Sequence, residues 1–237
     1  MKLAKRLIAL LLAVLMLPVW NPAVASAIEL PQTSKTESGT IPARVNPRYA
    51  GIYTVDDFDR PELPEPSVDG IGTNATYVSM TQGTTQTRTN MKNRTATFTI
   101  YVQTEDSSPS NVANTLFYGA MAHTGAPTEG DYLQWQWATV EAKYERTQSG
   151  SVYLYAITFG MTYYTTAAQE QQVTTAVNNL ISTLGIRNKS DYEKIKGVYD
   201  WICANVTYDY ANLEDTSYTL KFSAYAALIN KTAVCQG

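Results

Sequence analysis

Two thiols and one imidazole have the strongest claim on nucleophilic chemistry in this chain: Cys203, Cys235 and His123. A cysteine attacks as its thiolate, and a helix N-terminus lowers the thiol pKa because free N–H groups and the macrodipole favour negative charge. A neighbouring histidine completes the ion pair and protonates the leaving group. Ala233-Val234-Cys235-Gln236-Gly237 fits a helix start after a loop ending at Lys231-Thr232, with Gly237 small enough for a substrate to come close. These five residues also fit many turns. Two cysteines 32 positions apart leave a disulfide open. Cys203, however, falls beside Tyr199 and Val206 on the flank of an apolar helical stripe, where a buried free thiol is ordinary. One histidine and two distant cysteines offer no zinc-ligand spacing, so neither a metal nor a cofactor is called for. His123 reads as a surface histidine near a helix end. Asp200, Asp209 and Glu214 read as solvated carboxylates, with no pairing that suggests acid–base work.

The elements around these groups change period along the chain. From Arg94 to Thr104, apolar Ala96, Phe98, Ile100 and Val102 alternate with polar residues, which describes a half-buried strand. Ser110 to Met121 suits a short helix. Leu133–Arg146 and Val152–Tyr164 read as an antiparallel hairpin joined by Thr147 to Gly150. In its first strand the apolar phase moves from Leu133, Trp135 and Trp137 to Val140, Ala142 and Tyr144, which predicts a bulge near Thr139. The shared face of Trp135 and Trp137 is expected to pack in the core, with a carbohydrate or peptide groove as the alternative.

The period then becomes helical. Thr166-Ala167-Ala168-Gln169 and Ser190-Asp191-Tyr192-Glu193 are capping boxes. The first opens a helix with Val173, Val177, Leu180 and Leu184 on its stripe and Gly185 as its left-handed stop; the second opens one with Ile195, Val198, Tyr199, Ile202 and Val206. These two helices are expected to pack on each other and on the hairpin. A further short helix is expected around Ser223 to Ile229.

Ahead of all this, Lys2, Lys5 and Arg6 precede an apolar run from Leu7 to Leu17, and small residues follow at Ala23, Ala25 and Ala27. That is the pattern of a signal peptide over residues 1–27. The run is shorter than the roughly 20 residues of a permanent span, and no later segment is long and apolar enough to cross a membrane. The expected location is therefore secreted or extracellular. Setting aside those three basic residues leaves 15 against 21 acidic ones, a net charge of −6, which argues against nucleic acid as a partner. Six of the ten prolines fall in residues 28–66, which reads as a proline-rich linker, with Ile52, Tyr53 and Val55 as a candidate edge strand.

Three motifs in order carry a resemblance. They are Ile195-Lys196-Gly197-Val198-Tyr199-Asp200-Trp201-Ile202, then Asn205-Val206-Thr207-Tyr208-Asp209, then Ser223 through Gly237 with Ala224-Tyr225 and Val234-Cys235-Gln236-Gly237. Together they resemble the bacterial secreted transglutaminase-like (papain-like cysteine) superfamily over residues 166 to 237. The resemblance implies an α+β fold: a β-rich leader domain at 67–165, then the N-terminal helical part of a transglutaminase-like core at 166–237. It implies Cys235 as the catalytic nucleophile, attacking a glutamine side-chain amide or peptide carbonyl, with a thioester passed to an amine or to water. It also places Tyr208 near the active site. The family's histidine and aspartate follow the nucleophile, and the sequence stops two residues after Cys235. His123 lies outside the matching region, so the chain is expected to be inactive as it stands, with an apolar patch uncovered near its end. The expected function is thiol-dependent acyl transfer or hydrolysis on a protein or peptide partner, with the cell wall as one setting. The alternative is a non-catalytic cell-surface binding or scaffold module. A division of labour, with the leader recognising and the core reacting, is a further reading.

Overall fold

The computed structural model describes residues 36–49, 51–65 and 75–237. The signal-peptide reading of 1–27 lies outside the described residues. Among them no helix is long and apolar enough to cross a membrane.

The fold is α+β. Four strands, β1 (Thr36–Val45), β2 (Thr97–Thr104), β3 (Trp137–Ser149) and β4 (Val152–Tyr163), form one antiparallel sheet in the order β1-β3-β4-β2. β2 shows the alternation read from its sequence: Phe98, Ile100 and Val102 are buried and their neighbours are not. The β3–β4 loop is tighter than Thr147 to Gly150, because pairing runs to Ser149 opposite Val152. Gly150 takes the left-handed conformation (φ +63°) that such a two-residue hairpin turn requires. The register shifts between Trp137 and Thr139, where the apolar phase changes. β3 starts later than Leu133, since Asp131–Gln134 forms a single helical turn, α3.

The linker reading of residues 28–66 needs correction. Thr36 to Val45 pair with β3 from Thr147 back to Thr139, and the register slips between Ile41 and Arg44, where Pro42 sits. An edge strand tolerates a proline at such an irregularity, because no ladder bond is needed from it. Ile52, Tyr53 and Val55 do not form the edge strand considered for them. Ile52 is exposed, Tyr53 joins an aromatic cluster and Val55 starts a short 3-10 turn. Farther on, Leu63 packs against Gly160, where a Cβ would fall 2.8 Å from the leucine.

Two helices cover one face of the sheet: α1 (Met80–Lys92) and α2 (Pro109–Ala120). Their core joins Met91, Leu116 and Phe117 to Ile100, Val102, Trp137, Tyr155, Ile157, Phe159 and Met161. α1 has no apolar stripe to announce it. Its buried face is Gly83, Thr87 and Met91, at i, i+4 and i+8, and the Thr87 hydroxyl donates to the Gly83 carbonyl at 2.9 Å. A Cβ on Gly83 would lie 2.5 Å from Val102, so the glycine sets how closely α1 approaches β2.

The C-terminal helices, α4 (Ala167–Leu184) and α5 (Asp191–Asn205), start at the two capping boxes. The Thr166 N–H donates to Gln169 Oε1 at 2.8 Å, and the Ser190 N–H donates to Glu193 Oε2 at 3.0 Å. Gly185 closes α4 at φ +61°. Their expected mutual packing is not found. α4 buries only Val173 and α5 buries no residue, with Ile195 70% and Tyr199 65% exposed. α4 is held instead at its first turn, where Glu170 meets Arg94 Nη2 at 3.1 Å and accepts from the Tyr132 hydroxyl at 2.6 Å.

Candidate functional site

The last nineteen residues are local structure stacked on the rest of the chain. Thr219–Phe222 is a 3-10 turn, Ala226–Asn230 is a π-turn where a short helix is expected, and Lys231 reverses direction at φ +60°. β6 (Thr232–Ala233) then pairs in parallel with β5 (Thr207–Tyr208). Lys221 is fully buried, and its ammonium donates to the carbonyls of Asn212, Leu213 and Asp215 at 2.6, 2.9 and 2.7 Å. Three carbonyl acceptors offset much of the cost of burying that charge. Burial still lowers its pKa from the ordinary lysine value, with Asp215 opposing the shift. Asp209 is buried too and accepts from the Asn212 backbone and side chain, so it is not the solvated carboxylate expected.

This frame carries Val234 into a second apolar cluster with Tyr49, Phe58, Ala138, Tyr164 and Phe222. The Val234 N–H donates to the Lys221 carbonyl at 3.2 Å, and the Gly237 N–H to Val234 at 3.0 Å. Cys235 and Gln236 are therefore the two central residues of a turn. Gly237 has a steric role within this turn. A Cβ there would fall 2.6 Å from Ala233 Cβ and from the Lys221 carbonyl oxygen, so the glycine seats the turn on its own frame.

Cys235 is exposed on this turn. Neither its backbone N–H nor that of Gln236 has an acceptor among the described residues. Gln236 reaches the N-terminal half, where its Nε2 donates to the Trp135 carbonyl at 3.2 Å. Burial raises the pKa of Tyr49 above the ordinary tyrosine range, and Cys235 is near enough to add to that shift electrostatically.

Beside the turn lies a cavity of about 390 Å³ lined by Asn46, Arg48, Tyr118, Met121, Trp135 and Trp137, among others. Asn46 is buried, with its side-chain amide donating to the carbonyls of Gln134 and Trp137 at 3.0 Å each and its carbonyl accepting from the Arg48 N–H. That fixes Arg48, whose guanidinium lies 3.5 Å over the Trp135 ring. The two tryptophans do not share a strand face. Trp137 is core, edge-on to Phe117, whereas Trp135 caps α3 and faces the cavity. Sequence reasoning missed Asn46 and Arg48 because they sit in the proline-rich stretch; the Asn46-Pro47 pair was the available turn signal.

Cys203 is exposed on α5 rather than buried, and both cysteines are free thiols, so the disulfide is not formed. A hydrogen bond with Cys203 raises the pKa of the Tyr199 hydroxyl. His123 is exposed on the turn after α2. Tyr208 runs beside the Cys235 segment through β5, and its ring lies tilted against Tyr210 with centroids 4.8 Å apart. Among the described residues no group of three or more His, Cys, Asp or Glu could hold a metal. The chain matches no family model, no curated protein and no solved structure.

Proposed function

We propose that the chain carries the thiol half of an exported acyl transferase or hydrolase of the transglutaminase-like type, acting on protein or peptide amides, with Cys235 as nucleophile. The observation that carries this reading is the Val234–Gly237 turn. It presents an exposed thiol next to two unpaired backbone N–H groups while its neighbours are pinned to the N-terminal half. In the proposed step, sulfur bonds to the amide carbon, the carbonyl oxygen becomes an oxyanion, and the C–N bond breaks with release of ammonia or an amine. The N–H groups of Cys235 and Gln236 are the available donors to that oxyanion. Water or an amine then takes the acyl group from sulfur. Expelling an amide nitrogen also requires a proton donor, a role the resemblance gives to a histidine after the nucleophile. The reading assigns the thiol, the oxyanion donors and substrate contacts to these residues.

An activated p-nitrophenyl ester needs no acid to release its leaving group, so it tests the thiol alone. Mass spectrometry is expected to find one acyl group on Cys235, lost in Cys235→Ala with the circular dichroism unchanged. An acyl group on Cys203, or one that persists in Cys235→Ala, contradicts the reading.

A second reading is favoured by one specific feature, the uncovered apolar side chains of α5. It is a cell-surface binding or scaffold module with a non-catalytic transglutaminase-like region.

A further inference from the structure

We infer that the outward face of α5 is the seam of a parallel, two-fold dimer, in which it packs against the same helix of a second copy of this chain. This goes beyond the reading of Cys235 as nucleophile and does not depend on it.

Spacing identifies the kind of surface this face fits. Tyr192, Ile195, Tyr199, Ile202 and Val206 follow one another at intervals of three, four, three and four residues. A helix that packs on a globular core carries a wider apolar stripe, whereas this strict alternation makes the narrow seam of helix against helix. The first four side chains are exposed, Tyr192 at 74% and Ile202 at 44%. α5 meets its own chain with the opposite side, through Gly197 next to Ile186 and Trp201 under the Lys231 ammonium. A partner helix can therefore lie along the seam without any rearrangement of the fold.

Charge selects the occupant and its direction. Asp191 comes just before the first seam residue, and Lys196 just after the second. In a parallel pair of identical helices these two flanking positions meet across the seam, so Asp191 of each copy faces Lys196 of the other. An antiparallel pair brings the two Lys196 ammonium groups toward each other instead. Within one copy Asp191 pairs with Lys194 at 3.1 Å and Lys196 with Asp200 at 2.5 Å. Exposed pairs of this kind along a helix are weak, so both side chains can turn to the second copy.

The extent of the seam sets its strength. An aromatic side chain covers about 150–250 Å² when fully buried, so two partly exposed tyrosines with two isoleucines offer on the order of 400 Å² per copy. The roughly 800 Å² of a pair falls short of the roughly 1,000 Å² of a stable interface, which makes the dimer weak and concentration-dependent. Four large apolar side chains aligned on one face still differ from the singly scattered ones of an ordinary surface.

The test is sedimentation of the chain carrying Cys203→Ser and Cys235→Ser, which keep disulfides out. The mass is expected to rise from one chain toward two between about 5 μM and about 500 μM. Ile195→Glu, at a side chain that is already exposed, is expected to weaken the association at least tenfold with the circular dichroism unchanged. Direction is read by oxidising two single-cysteine versions in the same background. Residue 199 faces its own counterpart only in a parallel pair, so Tyr199→Cys is expected to link into a dimer and Asp200→Cys, off the seam, is not. A chain that stays monomeric over the whole range, or a dimer that Ile195→Glu leaves intact, rules out a second copy as the occupant. A dimer that Tyr199→Cys fails to link, or that both cysteines link equally, overturns the parallel arrangement. Because no thiol of the parent chain is used, neither result bears on acyl transfer to Cys235.

Discussion

The sheet and the C-terminal helices are built from similarly apolar segments but end in opposite surroundings. β4 contributes Tyr155, Ile157, Phe159 and Met161 to near-complete burial, and α1 and α2 seal the sheet face above them. α5 has a comparable apolar stripe in Ile195, Tyr199 and Ile202, and leaves all three exposed. Amphipathic spacing specifies which face of a helix is apolar; it does not supply the surface that face will meet. At fifteen residues α5 is near the length at which an isolated helix is marginal. It is held by the Ser190 cap, by the close approach of Gly197 to Ile186, where a Cβ would fall 3.2 Å from the isoleucine, and by the Lys231 ammonium 4.2 Å over the Trp201 ring.

The largest loss of stability is expected in the core. Phe117 is fully buried between Trp137 and Phe159, so Phe117→Ala is expected to cost about 3–5 kcal/mol by urea denaturation. The matching change on α5, Ile195→Ala, is expected to stay within about 0.5 kcal/mol. Equal losses would mean that the α5 stripe is covered in solution.

A somewhat smaller effect is expected at the joint between the regions. Arg94 is nearly buried and paired with Glu170, and its Nη1 donates to the Met91 carbonyl at 2.8 Å. Arg94→Met strands the Glu170 carboxylate, at a cost of about 3 kcal/mol. Hydrogen exchange is expected to speed up first in α4 and to leave β3 and β4 protected. Uniform loss of protection would show that α4 and the sheet unfold as one unit.

The elements that were legible and those that were not differ for physical reasons. α4 and α5 were legible at their starts because reciprocal Ser/Thr and Glu/Gln caps are local, and the β3 bulge was legible because a face change leaves a phase change in apolar spacing. α1 was not, since it buries glycine and threonine and its contacts with β2 and α2 come from closeness rather than apolar bulk. β1 was hidden by Pro42, which read as linker composition yet sits at an edge irregularity. At the candidate site neither the Cys235 turn nor the cavity beside Trp135 was legible. Its walls come from residues 46–48, 118–121 and 134–137, far apart in sequence.

The smallest effect expected is acid dependence in the sheet region. A hydrogen bond from Lys92, then one from Thr124, lowers the pKa of Glu129 below the ordinary carboxylate value. A lowered folded-state pKa stabilises above the unfolded value, and that contribution is lost as pH falls through the folded one. Glu129→Gln is expected to flatten the acid limb of stability against pH, while Glu129→Asp is expected to retain part of it. An acid limb identical to that of the parent chain would contradict this.

The most direct test of the central claim compares the two exposed thiols within one molecule. Iodoacetamide measures simple access to Cys203 and Cys235, and a chloroacetamide-bearing glutamine peptide adds recognition. The account predicts that the peptide reagent raises the Cys235 to Cys203 labelling ratio at least tenfold over that with iodoacetamide. An unchanged ratio would mean that Cys235 is only another surface thiol, and the nucleophile reading would fall.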